Sequence, residues 1–205
     1  EKTIYENYRD EQLPSAQEVL NEDLWRRAVH HPTLDEMITG IFATLQPAYL
    51  KRHARQLKAL GLADAEKLDV EKKDERLTWA IAEVARNLGL DPPTVYFHPE
   101  RAATLSLLDT DPPSLLAGAT IREMAEHEME DLKVVAFLVG RALAYLQPGC
   151  YMRHTLQSGT ALSTWFLAGI RRIMTNFPVP QNIAQPASEA VEVISRHLDR
   201  VATDK

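Results

Sequence analysis

The sequence predicts an α+β fold that is mostly helical, with a small sheet of about three short strands and a buried central helix. Two observations predict this class. Apolar residues recur at intervals of three and four over most of the chain, which indicates amphipathic helices. Three short runs between residues 94 and 117 are instead rich in β-branched, aromatic and leucine residues, which favour strands. We therefore expect six or seven helices around one small sheet.

The composition narrows the classes of protein to which the chain can belong. Its 205 residues are 45% hydrophobic and 25% charged, with a net charge of -6, which is typical of a globular domain and not of a disordered chain. The negative net charge argues against nucleic acid as a partner. No apolar run reaches the ~18 residues of a membrane-spanning helix. The single cysteine, Cys150, excludes an internal disulfide and a cysteine-based zinc cluster within one chain.

The expected organisation is a lead-in segment over residues 1–20 and a single domain over residues 21–205. The lead-in is polar and mixed in charge, and its first residues lack the apolar region of a signal peptide. Because it also lacks an initiator methionine, we expect the chain to be part of a longer protein. Within the domain we expect a helical part at 21–90, a core at 91–150 and C-terminal helices at 151–205.

Capping residues and helix breakers define the first helices. Asn21 is expected to cap a short helix, and Thr33 a longer one, because a glutamate follows Thr33 at the capping-box spacing. Pro47 should end or kink that longer helix. A basic helix over residues 48–60 should then end at Gly61, a residue that favours the left-handed conformation after a helix.

The sheet is expected in the middle of the chain. Residues 63–73 are charged and predict an exposed connection, and residues 74–88 predict an amphipathic helix that Gly89 ends. Two prolines then force an extended backbone before the first strand. The three predicted strands cover residues 94–97, 104–108 and 114–117.

The second half of the chain predicts four further helical segments. A polar, acidic stretch covers residues 121–131 and is followed by an almost uniformly apolar stretch at 132–146. A helix that is apolar on all sides is expected in the middle of a domain. Ser158 should cap a helix that runs to about Phe177, and Ser188 should cap the last helix.

The apolar stretch contains a recognisable pattern. Ala136-Phe137-Leu138-Val139-Gly140 is followed by Arg141-Ala142-Leu143-Ala144-Tyr145, after three predicted strands and a short polar helix. This order of elements resembles the catalytic core of gluzincin metallopeptidases of the HtpX-like and CAAX prenyl endopeptidase kind. In that family the buried helix carries a pattern like E-L-x-F-V-L-G-H-E-L-G-H. The resemblance covers about residues 94–146.

The resemblance implies a core that has lost its chemistry. It places Arg141 at the first metal-binding histidine, Ala142 at the general-base glutamate and Tyr145 at the second histidine. A guanidinium keeps its proton and cannot ligate a metal. At about 4 Å and an effective dielectric of ~20 it would repel a divalent ion by roughly 8 kcal/mol. That is comparable to the ~10–16 kcal/mol of a structural zinc site. The resemblance therefore implies a pseudoenzyme with no metal, no cofactor and no catalytic residues.

The sequence does not identify a residue for the third metal ligand of the gluzincin pattern. In gluzincins it is a glutamate from a later helix, and Glu189 and Glu192 are available, but nothing in the sequence marks either one. Because a buried arginine is seldom unpaired, we expect Arg141 either to form an ion pair with an acidic residue or to lie at the edge of the helix with its guanidinium in water.

A second resemblance is carried by segments in several parts of the chain: Tyr5–Arg9, Leu24-Trp25, His31-Pro32, Gly40–Ala43, Leu57–Leu62 and Gly140–Ala144. Through these segments most of the chain is similar to a C-terminal domain of long myxobacterial tetratricopeptide-repeat proteins. That resemblance implies a protein-interaction or scaffold module in a larger repeat protein of the bacterial cytoplasm, with neighbouring repeats among its partners. Residues 34–60 and 158–177 would supply the packing surfaces.

Two alternatives remain open at this stage. The first is a metal-dependent hydrolase with relocated ligands, since His127 and Asp131 share a helix face and Glu128 is a candidate general base. The same stretch is rich in glutamate, so an exposed acidic helix explains it as well. The second is a peptidase-like cleft that still binds a peptide without cutting it, with Arg141 as a contact.

Overall fold

A computed structural model describes residues 20–25, 35–71 and 75–203 of the chain. It confirms the predicted class, a mostly helical α+β fold with one small sheet. The described residues form two compact units. The first unit contains the sheet, and the second is helical. Their described parts are residues 20–25, 62–71, 75–108 and 113–144 for the first unit, and residues 35–61, 109–112 and 145–203 for the second.

The single domain expected over residues 21–205 stays a prediction, and the two units do not follow its expected parts at 21–90, 91–150 and 151–205. Each unit is assembled from segments that are far apart in the sequence. A boundary of that kind leaves no composition shift or linker along the chain, so reading the sequence from end to end does not find it. The expected lead-in at residues 1–20 lies outside the described residues except for Leu20.

The sheet has four strands in the order β1-β2-β4-β3. β2 and β4 are parallel, and the two outer pairs are antiparallel. The three predicted strands are confirmed to within one residue at their ends, whereas β1 was not predicted. The strands are β1 (Glu66–Leu68), β2 (Val95–His98), β3 (Leu105–Leu108) and β4 (Ser114–Gly118).

Helices account for most of the described residues. Short 3₁₀ turns cover Leu57–Leu60, Ala144–Leu146 and Gln181–Ile183. The α-helices are α1 (Glu22–Leu24), α2 (Glu36–His53), α3 (Arg76–Asn87), α4 (Ala119–Glu126), α5 (Met129–Leu143), α6 (Tyr151–Thr155), α7 (Gly159–Ile173) and α8 (Ala184–Thr203).

Several of the predicted helix ends are confirmed. The side chain of Asn21 accepts a hydrogen bond from the backbone N–H of Leu24 at 2.9 Å, and Ser158 Oγ accepts one from the N–H of Ala161 at 3.1 Å. Gly61 and Gly89 follow helical segments with φ of 70° and 67°, as expected for the left-handed conformation.

Other predicted ends are wrong. α2 is capped by Asp35, whose carboxylate accepts from the N–H groups of Met37 and Ile38, while Thr33 lies outside the described residues. Of the end and the kink expected at Pro47, the end is wrong, because α2 continues to His53. The basic helix expected over residues 48–60 is therefore the last part of α2 followed by a 3₁₀ turn. Ser188 lies inside α8, which begins at Ala184, and its hydroxyl bonds to the carbonyl of that residue.

The acidic stretch at 121–131 is two helices, not one. α4 ends at Glu126 because His127 takes a ψ of -103°, which turns the chain away from the helical path. Glu128 then precedes α5 in an extended conformation. The candidate metal ligands of the relocated-hydrolase hypothesis therefore lie at a junction between two helices.

Each unit has its own core. In the first unit α5 packs on α3, α4 and β3, and the fully buried side chains include Leu77, Ile81 and Leu115. In the second unit α2 and α7 pack on each other and on α8. Trp25 ties α1 to the first unit, since its indole N–H donates to the carbonyl of Leu88 at 3.0 Å.

Candidate functional site

α5 is the helix on which the sequence places the candidate site, and only one of its faces is buried. Leu132, Val135, Val139 and Leu143 recur at spacings of three and four and are at most 1% exposed. The close approach of α3 and α5 occurs at Gly140, where a Cβ atom would lie 3.6 Å from Val84 Cγ1. The inward face of α5 is therefore an ordinary amphipathic packing surface.

The opposite face of α5 is exposed. Phe137 is 70% exposed and Val134 is 46% exposed, so the prediction of a helix buried on all sides is wrong. We call the exposed positions of α5 the exposed stripe, which consists of Glu130, Lys133, Val134, Phe137 and Arg141.

Leaving two large apolar side chains in water costs stability. Full burial of a phenylalanine or valine side chain contributes about 1.5–3 kcal/mol. Single exposed apolar residues are common, but neighbouring ones rimmed by charge mark interaction sites. Phe137 and Val134 are three residues apart on one helix face, with Lys133 and Arg141 beside them. The exposed stripe is the best candidate binding surface in the first unit.

Of the three positions that the gluzincin resemblance aligns with the peptidase motif, Arg141 and Ala142 belong to the first unit and Tyr145 to the second. Arg141 is exposed in the last turn of α5, and no described residue forms an ion pair with it, so the helix edge is the expected placement that the structure shows. Ala142 is half-buried in the same turn. α5 ends at Leu143, which leaves Tyr145 in the following 3₁₀ turn, where its ring lies 4.6 Å from that of His154.

The relocated metal site is only partly assembled. His127 Nδ1 and Asp131 Oδ2 lie 2.8 Å apart, and both side chains are substantially exposed. Glu128 is exposed between the two helices. No group of three side chains able to hold a metal ion occurs among the described residues. A zinc site needs three protein ligands at least, so the pair is an exposed hydrogen bond at a helix junction.

The histidine with the most specific surroundings is His53, at the end of α2. Its ring stacks on Tyr49 at 4.5 Å and meets Trp165 edge-on at 5.7 Å. Partial burial lowers the pKa of His53, and the positive charge of Arg52 lowers it further. The imidazole is therefore neutral at pH 7 and serves as an aromatic packing group.

A buried tyrosine anchors the loop between β3 and β4 in the second unit. The hydroxyl of Tyr151, a fully buried residue, donates to Asp109 Oδ1 at 3.0 Å. Arg55 Nη2 lies 3.3 Å from the other carboxylate oxygen. Burial raises the pKa of Tyr151, and the adjacent Asp109 carboxylate raises it further. Tyr151 therefore stays protonated and acts as a structural hydrogen-bond donor.

Cys150 and His98 also have structural surroundings. Burial raises the pKa of the Cys150 thiol, which lowers its thiolate fraction and its reactivity. His98 is buried at the end of β2, and its Nε2 atom lies 3.2 Å from Asp64 Oδ1. The N–H of Glu100 donates to His98 Nδ1, so Nε2 carries the proton in the neutral ring.

Two open grooves lie away from the motif positions. One, of about 810 Å³ in the first unit, runs beside β1 and is walled by Trp79, Pro92 and Pro93. The other, of about 650 Å³ in the second unit, is lined by residues that include Trp165 and His53. Neither includes Arg141, Ala142 or Tyr145, so neither corresponds to the peptidase-like cleft that the sequence suggested.

No protein-family model, curated protein or solved structure matches the chain. Within the described residues, no helix is both long and apolar enough to cross a membrane. The resemblances to gluzincins and to repeat proteins therefore stay predictions.

The sequence predicts which helix carries the candidate site, but it does not predict which face of that helix is exposed. A helix that is apolar on all sides predicts that Val134 and Phe137 are buried, and nothing in the sequence predicts the groove beside β1. The available signal was charge: Lys133 and Arg141 are eight residues apart, with Phe137 midway, so the three share one face. That spacing marks which side of an otherwise apolar helix carries charged residues.

Proposed function

We propose that this chain is a non-catalytic protein-interaction module that binds an amphipathic helix of its partner through the exposed stripe. The observation that carries the proposal is the exposure of Phe137 and Val134 on the helix that the peptidase resemblance would make catalytic. Lys133 and Arg141 favour a partner with carboxylates beside its apolar residues.

The wider setting is also part of the proposal. As the resemblances to gluzincins and to repeat proteins together imply, the chain is an inactive peptidase-like scaffold domain of a larger tetratricopeptide-repeat protein in the bacterial cytoplasm. Neighbouring repeats would contact α2 and α7. Apolar side chains exposed at the start of α2 and the end of α7 support this surface: Met37, Ile38 and Ile173.

The metal-dependent hydrolase is the competing function, and elemental analysis separates the two. We expect full-length protein, purified without a metal-binding tag, to contain far less than one zinc ion per chain after incubation with zinc and desalting. The reason is that His127 and Asp131 lack a third described ligand. Stoichiometric zinc that is lost in His127→Ala would instead support the hydrolase.

Photo-crosslinking tests the binding surface itself. With a benzophenone amino acid in place of Phe137 in the full-length protein, we expect one major protein adduct in the native cell. Val134→Asp should remove the adduct, because a charge in the middle of the apolar patch cannot be desolvated cheaply. Glu123→Lys, an exposed change on α4, is the matched control and should keep it. Absence of any adduct, or an adduct insensitive to Val134→Asp, would contradict the proposal.

A further inference from the structure

The exposed stripe has the spacing of a helix–helix seam. Glu130, Val134, Phe137 and Arg141 are separated by four, three and four residues, the intervals that keep side chains on one line of contact between two helices. Among these four residues the apolar ones occupy the middle and the charged ones the two ends, whereas Lys133, the fifth residue of the stripe, lies beside Val134 and forms an ion pair with Glu130. The first turn of α5 is acidic, and its last turn is basic.

This arrangement is complementary to itself when a second stripe runs in the opposite direction. In an antiparallel pair centred between Val135 and Ala136, Glu130 of one copy faces Arg141 of the other. Val134 of one copy likewise faces Phe137 of the other. We infer that the partner of the exposed stripe is a second copy of this chain, bound through an antiparallel α5–α5 contact. This inference rests on the proposed function and names its partner.

Both the charges and the helix dipoles favour this direction. A parallel pair would place Glu130 against Glu130 and Arg141 against Arg141, which repel each other. The antiparallel pair replaces both repulsions with attractive contacts. It also places the positive end of each helix dipole beside the negative end of the other, which is favourable. Glu130 already lies 2.9 Å from Lys133 of its own helix, but both side chains are exposed, so this bridge contributes little and can be exchanged or shared.

The size of a contact between two helices sets the expected affinity of the dimer. α5 has 15 residues and is about 22 Å long. The surface area buried by a contact of that length is smaller than the roughly 1,200–2,000 Å² that a stable interface buries. We therefore expect a reversible dimer that forms at tens to hundreds of micromolar protein. Its small area makes the two symmetry-related ion pairs important for direction and specificity.

Charge reversal provides the test, measured by sedimentation velocity of the full chain over a concentration series. We expect wild-type protein to dimerise as its concentration rises. Glu130→Lys and Arg141→Glu should each weaken self-association by about tenfold or more, because each turns both ion pairs into repulsions. An equimolar mixture of the two variants should restore the dimer, since each mixed contact again joins opposite charges. Glu123→Lys is the control for net charge and should behave as wild type.

The outcomes separate this inference from the proposed function. A wild-type chain that stays monomeric throughout, a mixture no stronger than either variant alone, or equal weakening by Glu123→Lys would overturn the second copy as partner. In that case the proposed function survives only if the crosslink from position 137 contains a different protein. If the crosslink is absent as well, both fail.

Discussion

Gly118→Ala is expected to lower the free energy of unfolding of the sheet-containing unit by about 3–5 kcal/mol. Gly118 ends β4 and precedes α4, and a Cβ atom there would lie 1.8 Å from the carbonyl oxygen of Arg101 and 2.6 Å from that of Ala102. Both contacts are with backbone atoms. No side-chain rotation relieves them, so the loop after β2 must move.

Hydrogen bonds oppose that movement. The N–H of Gly118 donates to the carbonyl of Thr104 at 2.8 Å, and the N–H of Thr120 donates to that of Ala102 at 2.9 Å. Displacing the loop would leave the N–H groups of Gly118, which is buried, and of Thr120 without their hydrogen-bond partners. We therefore expect a greatly reduced denaturation midpoint, or an unfolded first unit, in chemical denaturation followed by circular dichroism.

Gly140→Ala is the matched control in the same unit. Its Cβ atom would lie 3.6 Å from Val84, an ordinary contact, and alanine is favoured over glycine inside a helix by about 1 kcal/mol. This variant should be as stable as wild type or slightly more so. A Gly118→Ala protein with an unchanged midpoint would contradict the packing of the loop after β2.

Asp109→Ala is expected to cost the helical unit about 2–3 kcal/mol of stability. The change removes the acceptor of the buried Tyr151 hydroxyl and the ion-pair partner of Arg55. A buried hydroxyl without a partner loses its hydration and gains nothing in return. Thermal unfolding followed by circular dichroism measures the loss.

A double-mutant cycle assigns that cost to the hydrogen bond. Tyr151→Phe removes the donor, so the double variant Asp109→Ala/Tyr151→Phe should lose clearly less stability than the sum of the single variants. Asp111→Ala is the control in the same loop. Its 2.7 Å bridge to Lys51 is solvent-exposed and should contribute at most ~1 kcal/mol. Full additivity in the cycle would show that Tyr151 and Asp109 do not interact.

The parts of the fold that follow local rules could be predicted from the sequence. The three strands between residues 94 and 118 are β-branched or leucine-rich runs bounded by prolines and turn residues, and Asn21 and Ser158 are strong helix caps. β1 could not be found in this way, because only Leu68 of its three residues is apolar and its pairing with β2 is long-range. The helix end predicted at Pro47 is wrong for a similar reason, because packing overrides the local signal. Leu45, Ala48 and Tyr49 are buried on both sides of the proline and stabilise a continuous α2.

The candidate site shows what a sequence pattern leaves open. Val134 and Val135 are adjacent and identical in chemistry, yet one is 46% exposed and the other is fully buried. Which side of an apolar helix is covered depends on what packs over it, and α5 packs on α3, α4 and β3. The apolar composition of α5 therefore predicted a central helix, whereas the arrangement of its neighbours makes it a surface helix.

The most direct test of the central claim is a photo-crosslinking scan along α5 in the full-length protein, in its native cell. A binding surface on the exposed stripe predicts high adduct yields from Val134 and Phe137, lower yields from Glu130 and Arg141 at its ends, and none from Glu123 on α4. Equal yields at all five positions, or no adduct from Phe137, would show that the exposed face of α5 does not bind a protein.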